Sequence, residues 1–247
     1  MTLLTLFALG LVVVATSFLS GIFGMAGGLI LLGVLLLAFD VAPAMVLFGT
    51  TQTAANGWRA ILWRRYVHWP VIPPYLGGCL LVFALMRFVS FLPGKAFIYL
   101  AIGFIPLLTL NLPERFSIDI LKPGRAFLSG LIIMPLQLVG GGAGTVLDTF
   151  FQRSALDRRS IVATKAVTQV AAHLLRIAYF GSFVASFDAG IPLWVYGAAV
   201  LLAMLGTSLA ALVLHRMSNE SFRAWSRRLI VAVSVSFIGR GTWLLFN

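Results

Sequence analysis

Gly21-Ile-Phe-Gly-Met-Ala-Gly-Gly-Leu-Ile-Leu-Leu-Gly-Val-Leu-Leu-Leu-Ala-Phe39 is a glycine cluster followed by an apolar run that stops early. A helix that spans a bilayer needs roughly 20 mostly apolar residues, and Gly28–Phe39 falls short of that. Glycine interrupts a helix and lets the backbone turn sharply. The arrangement recurs at Gly140-Gly-Gly-Ala-Gly144, which leads into the short run Gly144–Phe151. Each cluster predicts a hairpin that enters the membrane, breaks, and leaves on the side it entered.

The composition around these stretches is that of a membrane chain. Of 247 residues, 60% are hydrophobic and 10% charged, with a mean hydropathy of +1.02. Soluble domains carry about 25% charged residues, and one of this length could not hide so much apolar surface. An ordinary cytosolic enzyme, a disordered tail and a disulfide scaffold are all excluded. Met1 to Phe39 and Ala189 to Leu214 contain no charged residue. Solid apolar blocks of this kind point to helices rather than to the alternating strands of a β-barrel. The N-terminus lacks a basic stretch before Leu3, and its apolar run continues past Ser20. It therefore reads as a first membrane segment rather than a removable signal. Cys79 is the lone cysteine, so no intrachain disulfide forms and a cysteine metal site is not expected. The net charge of +11 belongs to basic loops on the cytoplasmic side of a membrane rather than to nucleic-acid binding.

Ten apolar segments can be read: Leu3–Leu19, Gly28–Phe39, Ala44–Trp63, Pro70–Leu92, Ala96–Leu112, Ala126–Val139, Gly144–Phe151, Ser160–Phe180, Ile191–Leu214 and Leu229–Phe246. Four loops, Arg59 to Arg65, Arg115 to Arg125, Arg153 to Arg159 and Arg216 to Arg228, hold most of the 18 Lys and Arg residues. The positive-inside rule puts these loops in the cytoplasm, with the loops around Asp40 and Asp188 outside. That assignment requires both short-segment pairs to be hairpins. Each half then has one hairpin and three full spans, the second half is inverted relative to the first, and both termini lie outside. The expected architecture is all-α and polytopic: a first membrane repeat at 1–112, a cytoplasmic linker at 113–125 and an inverted second repeat at 126–247.

An internal repeat supports the division. Thr51-Gln-Thr-Ala-Ala-Asn-Gly-Trp-Arg59 aligns with Thr168-Gln-Val-Ala-Ala-His-Leu-Leu-Arg176 at an offset of 117, with five of nine positions identical. The same offset pairs Asp40 with Asp157, each placed to cap the helix that follows. The glycine clusters align at 116. Upstream, Leu19-Ser-Gly21 matches Leu128-Ser-Gly130 at 109, and a competing register sets Gly49-Thr-Thr51 on Ala163-Thr-Lys165.

Broken helices in inverted repeats are the build of many secondary transporters, whose substrate sits near the midplane. Gly28–Phe39 and Gly144–Phe151 would start there, their free N–H groups and positive dipole ends facing a ligand, which suits an anion. Tight helix packing at the glycines is the competing explanation. Gln52, Asn56 and Arg59 fall on one helical face, as do Lys165, Gln169, His173 and Arg176. A polar stripe faces the bundle interior or a water-filled cavity, although the arginines and Lys165 also sit where they can snorkel to the headgroups. The candidate anion site comprises Gly27, Gly28, Thr51, Gln52, Asn56, Arg59, Gly142, Gly144, Thr145, Lys165, Gln169, His173 and Arg176. His173 reads equally as a packing residue or a proton carrier. Asp148 is the single acid inside an apolar stretch: a proton or cation site, the partner of a basic residue, or a group at a wet hairpin exit. Arg240 interrupts the last span as a pairing partner or an anchor. No enzyme constellation, metal-ligand spacing or phosphate loop is found, and neither cofactor nor metal is expected.

With Ser20-Gly-Ile-Phe-Gly-Met-Ala-Gly-Gly28, Gly49-Thr-Thr51, Arg65-Tyr-Val-His-Trp69, Gly140–Gly144 and Ala163-Thr-Lys165, in that order over two halves, the chain resembles the TauE/SafE family of sulfite exporters and sulfur-anion transporters across nearly its whole length. Met134-Pro-Leu-Gln137 and Thr145-Val-Leu-Asp148 depart from the family's usual look. The resemblance implies a multi-pass protein of the bacterial inner membrane that moves sulfite, thiosulfate or small organosulfonates, often outward, by alternating access. Coupling to protons or sodium is left open, and so is the oligomeric state. An anion channel of similar build and a non-transporting assembly subunit are the other readings.

Overall fold

The computed structural model describes residues 2–23, 26–113, 116–140, 143–184, 191–214 and 219–247, of which 214 and 219–223 are described by their backbone alone. Gly24, Gly141, Gly142, Arg115, Asp188 and Arg216 lie outside the described residues, as does the side chain of Arg223. Among the described residues there are ten α-helices and no strand: α1 (Leu3–Phe23), α2 (Ala26–Ala38), α3 (Val41–Leu62), α4 (Ile72–Val89), α5 (Lys95–Leu110), α6 (Arg125–Val139), α7 (Ala143–Phe151), α8 (Arg158–Gly181), α9 (Leu193–Leu214) and α10 (Asn219–Phe246). Each apolar segment of the sequence becomes one helix. Five helices are long and apolar enough to cross a bilayer: α1, α8, α9, most of α10, and α4 with the turn before it. Large apolar side chains cover the outside, among them Phe88, Leu108, Leu201 and Phe246. Both features are compatible with a membrane-embedded protein.

The helix ends follow local chemistry. Pro73 and Pro74 sit in the first turn of α4, where their missing N–H groups cost nothing. That helix stops at Ser90, which takes the left-handed conformation at φ 51°. Asp157 caps α8 by accepting from the N–H groups of Arg159 and Ser160. Asp40 occupies the matching position before α3 but makes no capping bond. Its carboxylate instead meets Lys95, 3.4 Å away at the start of α5. Of the two expected aspartate caps, one forms.

Both breaks fall within the expected glycine clusters, between α1 and α2 and between α6 and α7, although not every glycine of a cluster lies in the break. Gly21 lies inside α1, which continues to Phe23 and is about 31 Å long at 1.5 Å per residue. Gly27 and Gly28 lie within the first turn of α2 rather than before it. These two glycines are helical for different reasons. A Cβ on Gly27 would run into the backbone of Thr16 and Ser20, so α1 and α2 pack there without room for a side chain. A Cβ on Gly28 would lie 3.2 Å from the Gln52 amide nitrogen. The short arms are as expected: α2 has 13 residues and α7 has nine, about 20 and 14 Å.

Small residues set the helix crossings. Gly78 of α4 and Gly130 of α6 lie back to back, where a Cβ on either would meet the other helix's backbone, and the Cys79 thiol points at the Gly130 carbonyl at 3.7 Å. Gly10, Gly206 and Gly21 mark the contact of α1 with α9. Leu202 faces Gly10, Ser17 faces Gly206 and Ala210 faces Gly21, so both chains run the same way. In α3 and α8, Gly49 faces His173 and Ile177 while Gly57 faces Val170, so these helices run antiparallel. In α5 and α10, Gly103 faces Ser234 and Ile238 while Gly241 faces Leu100, again antiparallel. Close backbone approach at small residues is how helices associate where surrounding lipid removes any hydrophobic drive.

Candidate functional site

Helix α3 carries the polar stripe of the first half. This content keeps it off the set of long apolar helices, although it has 22 residues. Thr51 is fully buried and returns its hydroxyl to the Leu47 carbonyl one turn back, at 2.8 Å. Gln52 is buried, and its Nε2 finds no protein partner. That amide lies against Gly28, in the first turn of α2. Asn56 donates to the Gln52 carbonyl at 2.9 Å and accepts Arg59 Nη1 at 3.2 Å. Arg59 then reaches across with Nη2 to the carbonyl of Ser20, 3.3 Å away. Ser20 stands in the last turn of α1, where the final carbonyls have no intrahelical partner. The guanidinium therefore closes the negative end of a broken helix.

Helix α8 carries the stripe of the second half. Arg176 is fully buried, and its Nη2 donates to the Gln137 carbonyl and to the Gln137 side-chain oxygen, the latter at 3.0 Å. Gln137 is in the last turn of α6, so this arginine also caps a helix that ends at a break. Gln137 Nε2 donates to Gln169 Oε1 at 3.0 Å. Arg176 lies over the Phe48 ring at 4.8 Å, and His173 meets the edge of the same ring at 5.6 Å. Neither Nε nor Nη1 of Arg176 has a partner, and neither does His173 Nδ1. Snorkelling is thus not the role of Arg176.

A third group lies within the second half. Lys165 of α8 forms an ion pair with Asp148 of α7, both partly buried. Asp148 is the partner of a basic residue, the second of its three sequence readings. Gly144 and Thr145 are buried in the first turn of α7, and the Thr145 hydroxyl meets that of Thr109 at 3.3 Å. Arg240 stacks on Trp243 at 4.3 Å. At the start of α8, outside the apolar region, the Ser160 hydroxyl and the N–H groups of Ser160 and Arg159 hold the exposed Asp157 carboxyl below its ordinary range. Among the described residues no three His, Cys, Asp or Glu side chains gather as metal ligands do.

Two partners were not legible as functional residues: Ser20, through its carbonyl, and Gln137. The available signal was numerical. Ser20 and Gln137 stand 117 residues apart, as do Arg59 and Arg176. In comparisons with known proteins the chain matches no family model, no curated protein and no solved structure.

Proposed function

We propose that the chain is a secondary transporter of small sulfur-containing anions, built from two inverted repeats and working by alternating access around a midplane site. The observation that carries this reading is the pair of arginine caps. Each closes the C-terminal end of a helix that breaks, and donor and acceptor recur at one offset of 117. Helix directions support the inversion. Equivalent helices in repeats related by an axis in the membrane plane must run oppositely, as α3 and α8 do, and as α5 and α10 do. The substrate class rests on the resemblance to the TauE/SafE family together with the fully buried guanidinium of Arg176, which no carboxylate partners among the described residues. A bacterial inner membrane, negative inside, favours anion exit, so the direction proposed is outward. The test is purified protein in liposomes, assayed for flux of sulfite, thiosulfate, sulfoacetate and sulfate. Saturable flux of one or more is expected. Flux proportional to concentration without saturation points to a channel, and none at all to an assembly subunit.

A further inference from the structure

The two arginine caps differ at one position. In the first half Asn56 lies three residues before Arg59 and accepts from its Nη1. In the second half His173 stands at the matching place before Arg176 and accepts nothing from it, so Nη1 and Nε remain unpartnered. His173 Nδ1 is unpartnered as well. Both side chains are more than nine-tenths buried, lie three residues apart on one face of α8 and touch the same Phe48 ring. Among the described residues the two ion pairs take Asp40 and Asp148 for lysines, and no carboxylate reaches Arg176. A buried guanidinium with idle donors and no counter-charge is costly unless something anionic meets it.

We infer that Arg176 and His173, walled by Phe48, form a binding site for a single small oxyanion, and that only the second half of the molecule holds it. Arg176 supplies the charge and N–H groups, and His173, with its proton on Nδ1, donates to a further oxygen. Nη2 stays on Gln137, so binding leaves the α6 cap in place. Sulfite or sulfate has enough acceptor oxygens to take these donors at once, while chloride offers no directed lone pairs. Asn56 explains why Arg59 is not a second such site: its amide oxygen already fills the place the anion would take.

The inference rests on the anion-transporter reading and names where its ligand sits. It is tested with the purified full chain in detergent, using sulfite and sulfate as probes in calorimetry and thermal-shift titrations. His173→Asn installs in the second half the arrangement of the first, and an asparagine there accepts Arg176 Nη1 and closes the site. Oxyanion affinity is expected to fall about tenfold or more, because donors that served the ligand now serve the protein. Melting without anion is expected to stay near the wild-type value. Wild-type affinity in His173→Asn, or the absence of any shift with either probe in the unaltered chain, overturns the site. Flux that persists with unchanged affinity in His173→Asn removes the site and keeps the transporter. Binding without flux in liposomes does the reverse.

Discussion

Arg176 donates to the backbone carbonyl of Gln137, joining the C-terminal part of one long helix to the end of a short one. The carbonyl belongs to the last turn of α6, where the chain breaks before α7. A residue that hydropathy would place at a headgroup is instead fully buried and holds a helix end together.

Removing that guanidinium should loosen the break. Arg176→Leu leaves the Gln137 carbonyl unpartnered in an apolar setting, at a cost of about 1–3 kcal/mol. Arg176→Lys keeps a donor for the carbonyl but loses the planar fork and should recover only part of this. Thermal unfolding in detergent reads the difference, and equal melting of all three chains would deny the cap.

The α4–α6 contact admits no side chain. Gly78→Leu or Gly130→Leu forces backbone apart and should cost about 1–3 kcal/mol or more, with poor yield of folded protein. Gly94→Ala is the control, since nothing lies within 4 Å of a Cβ there. It should melt with the wild type.

The Lys165–Asp148 pair should couple the two residues energetically. Both are partly exposed, so breaking it should cost about 1 kcal/mol after allowing for solvent. Asp148→Asn and Lys165→Gln together should cost less than the sum of the singles. If Lys165 also lines the anion path, Lys165→Gln weakens sulfite binding in calorimetry, whereas strict additivity and unchanged binding would leave it a passive surface pair.

Asp157 links α8 to pH. Its folded value is depressed by Ser160 and by the N–H groups it caps, so its stabilisation is present above the unfolded value of about 3.9 and is lost as pH falls through the folded value. Asp157→Ala should therefore melt earlier than the wild type at neutral pH. The gap should close in acid. A gap that widened below about pH 3.5 would contradict this sign.

Side assignment is tested by single-cysteine labelling in a Cys79→Ala background. Positions 122 and 158 should be protected in intact cells and position 40 labelled. External labelling at 122 or 158 would end the inverted-repeat proposal.

Much of the architecture was legible before any tertiary contact. Ten apolar runs became ten helices because apolar length and glycine interruption are local properties, and the short arms Gly28–Phe39 and Gly144–Phe151 stayed short. Both breaks fell within the glycine clusters, but Gly21 and Gly27 are helical and serve packing against Ala210 and Thr16, which no local pattern reveals. The stripe of Gln52, Asn56 and Arg59 was visible as a helical face, but its partners were not.

Hydropathy and spacing by themselves determined that this chain folds into apolar helices with two breaks, and that polar side chains recur at an interval of 117, because a residue's preference for lipid or for its own helix is settled within a few turns of chain. Only the tertiary structure decided that Asp40 leaves its cap for Lys95, that Asp148 meets Lys165, and that Arg59 is satisfied by Asn56 while Arg176 keeps idle donors beside His173. Those outcomes depend on where helices cross, and crossing is set by small residues far apart in the chain, whose close approach brings one donor to one carbonyl and leaves another without a partner.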